Sequence, residues 1–395
     1  KIMLTSLGLL FLSGMFLGWI FRRINLPPLI GMIIAGIITG PGLLGLLSGT
    51  ILDISADLRK NELIIILTCA GISLDLNSLK KVGRPAIMMC FVPACFEMLG
   101  CVIIAPVIFG ITRIEAAVIG SVIAAVSPAV VVPRMLRLMD EKYGTQKGIP
   151  QMIMAAASVD DVFVIVFFTA FTSLANGESV SLLSFALIPV SIVLGILLGI
   201  VSGFVMSRFF ETSGISVTSR VIVMLSVSFM LTALENALAG IIPVASLISI
   251  MAMGAAILRL SPDTAKDLSS RFAQLWIAAE ILLFTLVGAA VDIRYAAASF
   301  AGAIAVIAFS MVFRMAGVQI CLFKTILNKK ERIFSAFSYM PKATVQAAIG
   351  AVPLAMGLSC GDTVLTVAVW AIFITAPTGA LLMDTSYRKL LEKEV

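Results

Sequence analysis

Ile149-Pro-Gln-Met-Ile-Met-Ala-Ala-Ala-Ser-Val-Asp160-Asp161-Val-Phe-Val-Ile-Val-Phe-Phe168 sets two adjacent carboxylates inside an apolar run. The flanks, Ala155-Ala-Ala-Ser158 and Val162-Phe-Val-Ile-Val-Phe-Phe168, are wrong for a solvated loop. At about 1.5 Å per helical residue, Asp160 lies about 16 Å beyond Ile149. That is the middle of a hydrocarbon core about 30 Å thick. A charge there costs roughly 2.5–3.5 kcal/mol even on the lenient insertion scale, so intramembrane ionisable groups mark function by default.

The rest of the chain supports a membrane setting. Of the 395 residues 60% are hydrophobic and 13% charged, where soluble domains have roughly 45–50% and about 25%. Apolar blocks of about 20 residues recur between short polar connectors, each long enough to span a bilayer. No connector has room for a soluble domain, which excludes ATP-binding cassettes and extracytoplasmic receptors from this chain. The six cysteines show neither CxxC spacing nor a secreted framework and read as small core residues. With no His, any response to pH falls to carboxylates or Lys. The opening block, Ile2 to Phe21, is too long for a signal-peptide core and reads as a span.

Thirteen spans are expected, beginning near residues 2, 27, 62, 84, 114, 148, 181, 220, 242, 272, 297, 331 and 362. Assigning connectors to alternate sides puts 21 of the 28 Lys and Arg on one face and 5 on the other. The rich face is cytoplasmic by the positive-inside rule. The protein is expected in the plasma (inner) membrane, with the N-terminus outside and the C-terminus in the cytoplasm. Topology accounts for the net charge of +6, so no nucleic-acid partner is needed. Two cations, Arg314 and Lys342, remain inside spans.

Three patterns return at nearly one offset. Leu26-Pro27 pairs with Ile242-Pro243, Gly71-Ile-Ser-Leu-Asp75 with Gly288-Ala-Ala-Val-Asp292, and Pro128-Ala-Val-Val-Val132 with Pro341-Lys-Ala-Thr-Val345; they stand 216, 217 and 213 residues apart. Matched spans are seven apart, an odd number, so they cross the membrane in opposite senses. The expected organisation is a first inverted repeat over 1–175, a linker span over 176–215 and a second repeat over 216–395. Discontinuous helices meeting at the midplane are the signature of secondary transporters. Pro128 and Pro341 remove backbone donors at matching mid-span positions, so spans 5 and 12 are expected to break there.

Glu97, Asp160, Asp161, Arg314 and Lys342 all fall at mid-membrane depth, with Ser127 beside them. Unpaired, those five charges would cost on the order of 12–18 kcal/mol, so they must pair or face water. Successive helical residues point about 100° apart, hence Asp160 and Asp161 divide their roles. One pairs with a cation while the other faces a hydrated cavity and holds a proton or a hard cation, not both at once. Permanently charged Arg314 suits a fixed counter-charge, with Glu97 as its expected partner and Asp160 as the rival. Lys342 is expected to neutralise the negative ends of half-helices or to act directly in transport. Asp75 and Asp292 read as helix ends.

The run Lys147-Gly-Ile-Pro-Gln-Met-Ile-Met-Ala-Ala-Ala-Ser-Val-Asp160-Asp161, with Ser127-Pro-Ala-Val-Val-Val-Pro133 and Met340-Pro-Lys-Ala-Thr-Val-Gln-Ala-Ala-Ile-Gly350, resembles the monovalent cation:proton antiporter superfamily, closest to the NHA branch of its double-aspartate group. The resemblance spans essentially the whole chain. It implies an all-α NhaA-like fold, a homodimer with a scaffold domain and a mobile six-helix core, and an elevator-like movement. It also implies that Asp161 binds the ion and that the helix crossing, with Thr344, supplies polar neighbours. Many double-aspartate members carry a Lys in the region where this chain has Arg314.

The expected activity is exchange of Na⁺ or Li⁺ for H⁺ at Asp161, with Asp160, Ser127 and carbonyls freed near Pro128 assisting and no cofactor. The alternative in the same fold is a sodium-coupled symporter of an organic anion, with Arg314 or Lys342 binding its carboxylate. A channel lacks support, because no TVGYG-like filter is present. An intramembrane aspartyl protease needs its aspartates on separate helices, which adjacent residues cannot provide.

Overall fold

The computed structural model describes residues 2–24, 26–72, 83–176, 182–238 and 244–394. Lys1, Lys80 and Lys81 of the charge count, Asp75 and the pair Ile242-Pro243 lie outside these residues. The described chain is helical, apart from one isolated bridge between Tyr143 and Lys393.

In chain order the helices are α1 (Met3–Arg23), α2 (Pro28–Thr39), α3 (Gly49–Asp53), α4 (Ser55–Ile72), α5 (Arg84–Met89), α6 (Val92–Phe109), α7 (Arg113–Ile123), α8 (Pro128–Asp140), α9 (Ile149–Ala175) and α10 (Leu182–Ser213). They continue as α11 (Val217–Leu238), α12 (Ser246–Leu260), α13 (Pro262–Ala290), α14 (Ile293–Ala298), α15 (Phe300–Cys321), α16 (Lys329–Ser338), α17 (Thr344–Ile349), α18 (Val352–Ala355) and α19 (Gly361–Leu390). Among the described residues nine helices are long and apolar enough to cross a membrane, and three apolar helical segments are shorter: Pro28–Thr39, Ser246–Leu260 and Thr344–Ala355. Some blocks that read as uniform spans are thus short or interrupted. Hydropathy reports burial in lipid or protein and is blind to where the helical ladder stops.

Local chemistry sets the ends. Thr112 and Glu115 form a capping box at the start of α7, and Asn328 with Glu331 repeats it at α16, each satisfying two orphan donors. Pro28 at the first turn of α2 removes a donor that would be orphaned anyway. Asp292 caps α14, accepting from Arg294 N at 2.8 Å and Tyr295 N at 3.1 Å.

By their contacts the residues fall into two compact units: Lys1–Ala56, Leu76–Asn176 and Leu283–Val395 form one; Asp57–Asp75 with Gly177–Leu282 form the other. Each unit draws on both halves of the sequence. In the first, α2 crosses the end of α13 with no room for a side chain. A methyl on Gly36 would overlap Thr285 O, and one on Gly288 would overlap Ile33 O. The second unit uses the same device where α4 meets α12: a methyl on Gly71 would overlap Met251 O, and one on Gly254 would come within 2.7 Å of Ile72 N. In the second unit Glu235 also accepts a short hydrogen bond from Ser246.

Candidate functional site

The first compact unit contains two interrupted helices that meet. Between α7 and α8 the chain unwinds over residues 124–127, and between α16 and α17 over residues 339–343. Pro128 opens α8, where its missing N–H costs nothing, whereas Pro341 sits within the second unwound segment. Ser127 N donates to Pro341 O at 2.8 Å, so one backbone hydrogen bond joins the two breaks. Gly379 of α19 lies against the Pro341 ring, and a methyl on it would stand 2.6 Å from Pro341 Cγ.

Each break exposes carbonyls at the C-terminal end of a half-helix, and buried carbonyls need donors. Arg314 of α15 supplies several. Its Nε donates to Tyr339 O at 2.7 Å, and its Nη1 to Ala124 O and, at 2.7 Å, to Glu97 Oε2. Its Nη2 reaches Asp160 Oδ2 at 3.4 Å. One guanidinium therefore holds a carbonyl from each break and two carboxylates, using four of its five N–H groups. Glu97 and Asp160 are both its partners, Glu97 at the shorter distance. Close packing of α6 on α15 sets this up, with Gly100 against Ser310 Cα and Gly317 against Pro93 Cα.

The half-helix carbonyls Tyr339 O and Ala124 O accept from Arg314, while Lys342 Nζ lies 2.6 Å from Glu97 Oε2. Its backbone N–H donates to Thr375 Oγ1 at 2.9 Å. The backbone at residue 342 is thus held to α19 while its ammonium reaches α6.

Asp160 and Asp161 separate as helical geometry requires. Asp160 Oδ2 accepts from Val126 N at 2.8 Å, in the first break, as well as from Arg314. Asp161 is buried but makes no ion pair among the described residues, and its Oδ1 has no hydrogen-bond partner. Counting charges, Glu97 and Asp160 balance Arg314 and Lys342, so Asp161 is the surplus carboxylate. A buried charge of that kind must be neutralised by a bound proton or cation.

Further buried oxygens lack partners: Asp160 Oδ1, Ser127 Oγ, Thr344 Oγ1 and Gln346 Oε1. Ser127 is the residue before α8, where a Ser hydroxyl ordinarily caps the helix, yet its side chain makes no capping bond and stays available. Carboxylate, hydroxyl and amide oxygens suit a hard cation. Among the described residues no group of three or more His, Cys, Asp or Glu is assembled for a tightly held metal. The carbonyls expected to help are partly committed, Ala124 O to Arg314 and both Val122 O and Ala125 O to Gln346 Nε2 at 3.1 and 2.9 Å. Gln346 was missed in the sequence because a neutral amide carries no charge that demands a partner in lipid, and the Tyr339 carbonyl because a backbone group leaves no mark on the sequence.

Residues 9–384 match the family described as sodium/hydrogen exchanger, transmembrane. The chain is 31% identical to sodium/hydrogen exchanger 9B2 of Mus musculus over 381 residues, 93% of this chain and 69% of that one. It is 32% identical to the Homo sapiens 9B2 protein over 349 residues, covering 86% and 65%. With Homo sapiens sodium/hydrogen exchanger 9B1 it shares 30% identity over 423 residues, 99% of this chain and 78% of that. The chain thus spans about two thirds of the length of the 9B2 relatives. Among solved structures, the sodium proton antiporter MjNhaP1 from Methanocaldococcus jannaschii superposes with a TM-score of 0.85 at 17% identity, covering 98% of both chains. That likeness shows a shared fold.

Proposed function

The chain belongs to the sodium/hydrogen exchanger family, and from that premise we propose that it exchanges Na⁺ or Li⁺ for H⁺ across the membrane, with Asp161 carrying either ion in turn. The observation that carries this reading is the surplus carboxylate: four buried charges balance one another and Asp161 stands outside the balance. A proton and a monovalent cation each restore neutrality, and they compete for the same oxygens. Asp160, fixed by Val126 N and Arg314, holds the first break in register and lends its free Oδ1. Ser127 and Thr344 contribute hydroxyls.

Alternating access follows as movement of a six-helix core, containing the crossed breaks, against a scaffold that pairs with a second copy. The paired glycine crossings, α2 with α13 and α4 with α12, support the inverted-repeat organisation, because each joins a span of one proposed repeat to a span of the other. The cation-rich face is cytoplasmic in this reading.

A sodium-coupled symporter of an organic anion would need an uncommitted cation for the substrate. Arg314 and Lys342 are already engaged by Glu97, Asp160 and two carbonyls, which favours exchange. In everted vesicles, Asp161→Asn should abolish the Na⁺- or Li⁺-induced collapse of a proton gradient; exchange at the wild-type rate would overturn the proposal.

A further inference from the structure

Gln346 lies in α17, two residues beyond Thr344, and is fully buried. Both hydrogens of its amide end on carbonyls at the first break, Val122 O of the last turn of α7 at 3.1 Å and Ala125 O of the unwound segment at 2.9 Å. The orientation of the amide follows from chemistry: turned over, it would set Oε1 against two carbonyl oxygens. Oε1 is therefore fixed on the opposite side, buried and without a donor. Ala124 O is taken by Arg314. All three carbonyls at 122, 124 and 125 are thus held by donors from the second half of the chain. With those carbonyls engaged, the buried oxygens left without partners include Ser127 Oγ, Thr344 Oγ1, Gln346 Oε1 and the Oδ1 atoms of Asp160 and Asp161. The number and field strength of such ligands set which ion is preferred.

We propose that Gln346 is a positioning and selectivity-determining residue of the transport site: its nitrogen withholds Val122 O and Ala125 O from the ion, and its oxygen is a neutral ligand presented at a fixed angle. This rests on Asp161 as the exchanging group. Removing the amide frees two strong carbonyl acceptors and deletes one ligand, so affinity and ion preference change together. A glutamate of the same shape can donate to the carbonyls only while protonated, and repels them once ionised.

The test compares Gln346→Met, Gln346→Glu and Asp161→Asn in everted vesicles, with Na⁺ and Li⁺ titrated at several pH values and unfolding followed in detergent. Gln346→Met should raise the apparent KM for Na⁺ about tenfold and change the Li⁺/Na⁺ preference. Gln346→Glu should move the activity profile about one unit towards acid. If Gln346→Met fails to fold, the profile of Gln346→Glu decides. Loss of rate or stability with the Li⁺/Na⁺ ratio and pH profile unmoved would mark a purely structural residue and overturn the proposal. An inactive Asp161→Asn beside unmoved Gln346 variants would sink this inference alone, whereas an active Asp161→Asn would remove the exchange reading on which it rests.

Discussion

Arg314 Nη1 and Glu97 Oε2 lie 2.7 Å apart with both side chains sealed from solvent, and the same Glu97 oxygen takes Lys342 Nζ at 2.6 Å. One carboxylate oxygen thus serves two cations. Glu97→Gln leaves Arg314 with Asp160 and Lys342 with no ion-pair partner among the described residues, and stranding a buried charge costs about 3–5 kcal/mol. Unfolding in detergent should show a loss of that size. Glu97→Gln combined with Lys342→Met restores the balance of one acid against one base and should recover part of it; a double variant as unstable as the sum of the two singles would contradict the charge balance. Arg314→Lys is expected to be poorly tolerated as well, because a single ammonium cannot reach Tyr339 O, Ala124 O and two carboxylates from one plane.

The same balance predicts stoichiometry. Arg314 cannot release its proton, and in the exchange proposed above one surplus carboxylate accepts one H⁺ or one Na⁺. Exchange should be one for one and electrically silent. In proteoliposomes with an imposed potassium-diffusion potential, the Na⁺/H⁺ exchange rate should not depend on the sign of the potential. A rate that follows the potential would require a second titrating group, and Lys342 would be the first to examine.

What the sequence made legible follows from the cost of charge in lipid. Asp160, Asp161, Glu97, Arg314 and Lys342 stood out because each is expensive inside an apolar block, and Pro128 and Pro341 because each removes a backbone donor at a matching position of the repeated pattern. The destination of Lys342 was not legible. It depends on the path of an unwound backbone, held to Thr375 on a helix 33 residues away in sequence. Gln346 was passed over for a related reason. Its importance comes from carbonyls 221 and 224 residues distant, and only the crossing brings them within reach.

The close approach of α2 and α13 gives a further prediction. Gly288 presses on Ile33 O and Gly36 on Thr285 O, with no room for a methyl. Gly288→Ala gains helix propensity of about 1 kcal/mol, yet the overlap is with backbone, which cannot swing away as a side chain would. Overpacking of this kind costs typically 1–3 kcal/mol. A net loss of thermal stability is expected, larger for Gly288→Val. A neutral or stabilising Gly288→Ala would mean that α2 and α13 do not approach so closely.

On the cation-rich face, Lys147 joins Glu331, 2.8 Å away and buried, to Glu392, 3.1 Å away and exposed. The two contacts differ in worth. Lys147→Met strands a buried carboxylate and should cost about 1–3 kcal/mol, whereas Glu392→Gln removes an exposed partner and should cost under about 1 kcal/mol. The hydrogen bond that Lys147 donates to Glu331, aided by the one to Glu392, holds its ammonium above the usual lysine value of 10.5. Because the folded value is the higher one, the stabilisation is fully present below 10.5 and is lost only as pH climbs through the raised value. At Glu141 the sign reverses. The Tyr387 hydroxyl, then Arg137, holds its carboxyl below the usual 4.5, so that contribution persists above 4.5 and fades as pH falls through the lowered value. Neither group titrates near neutrality. The pH dependence of exchange between about 6 and 9 should therefore be the same in Lys147→Met and Glu141→Gln as in the unmodified protein once rates are scaled to folded protein, and a shifted midpoint in either variant would place a pH-sensing group on this face instead of at the crossing.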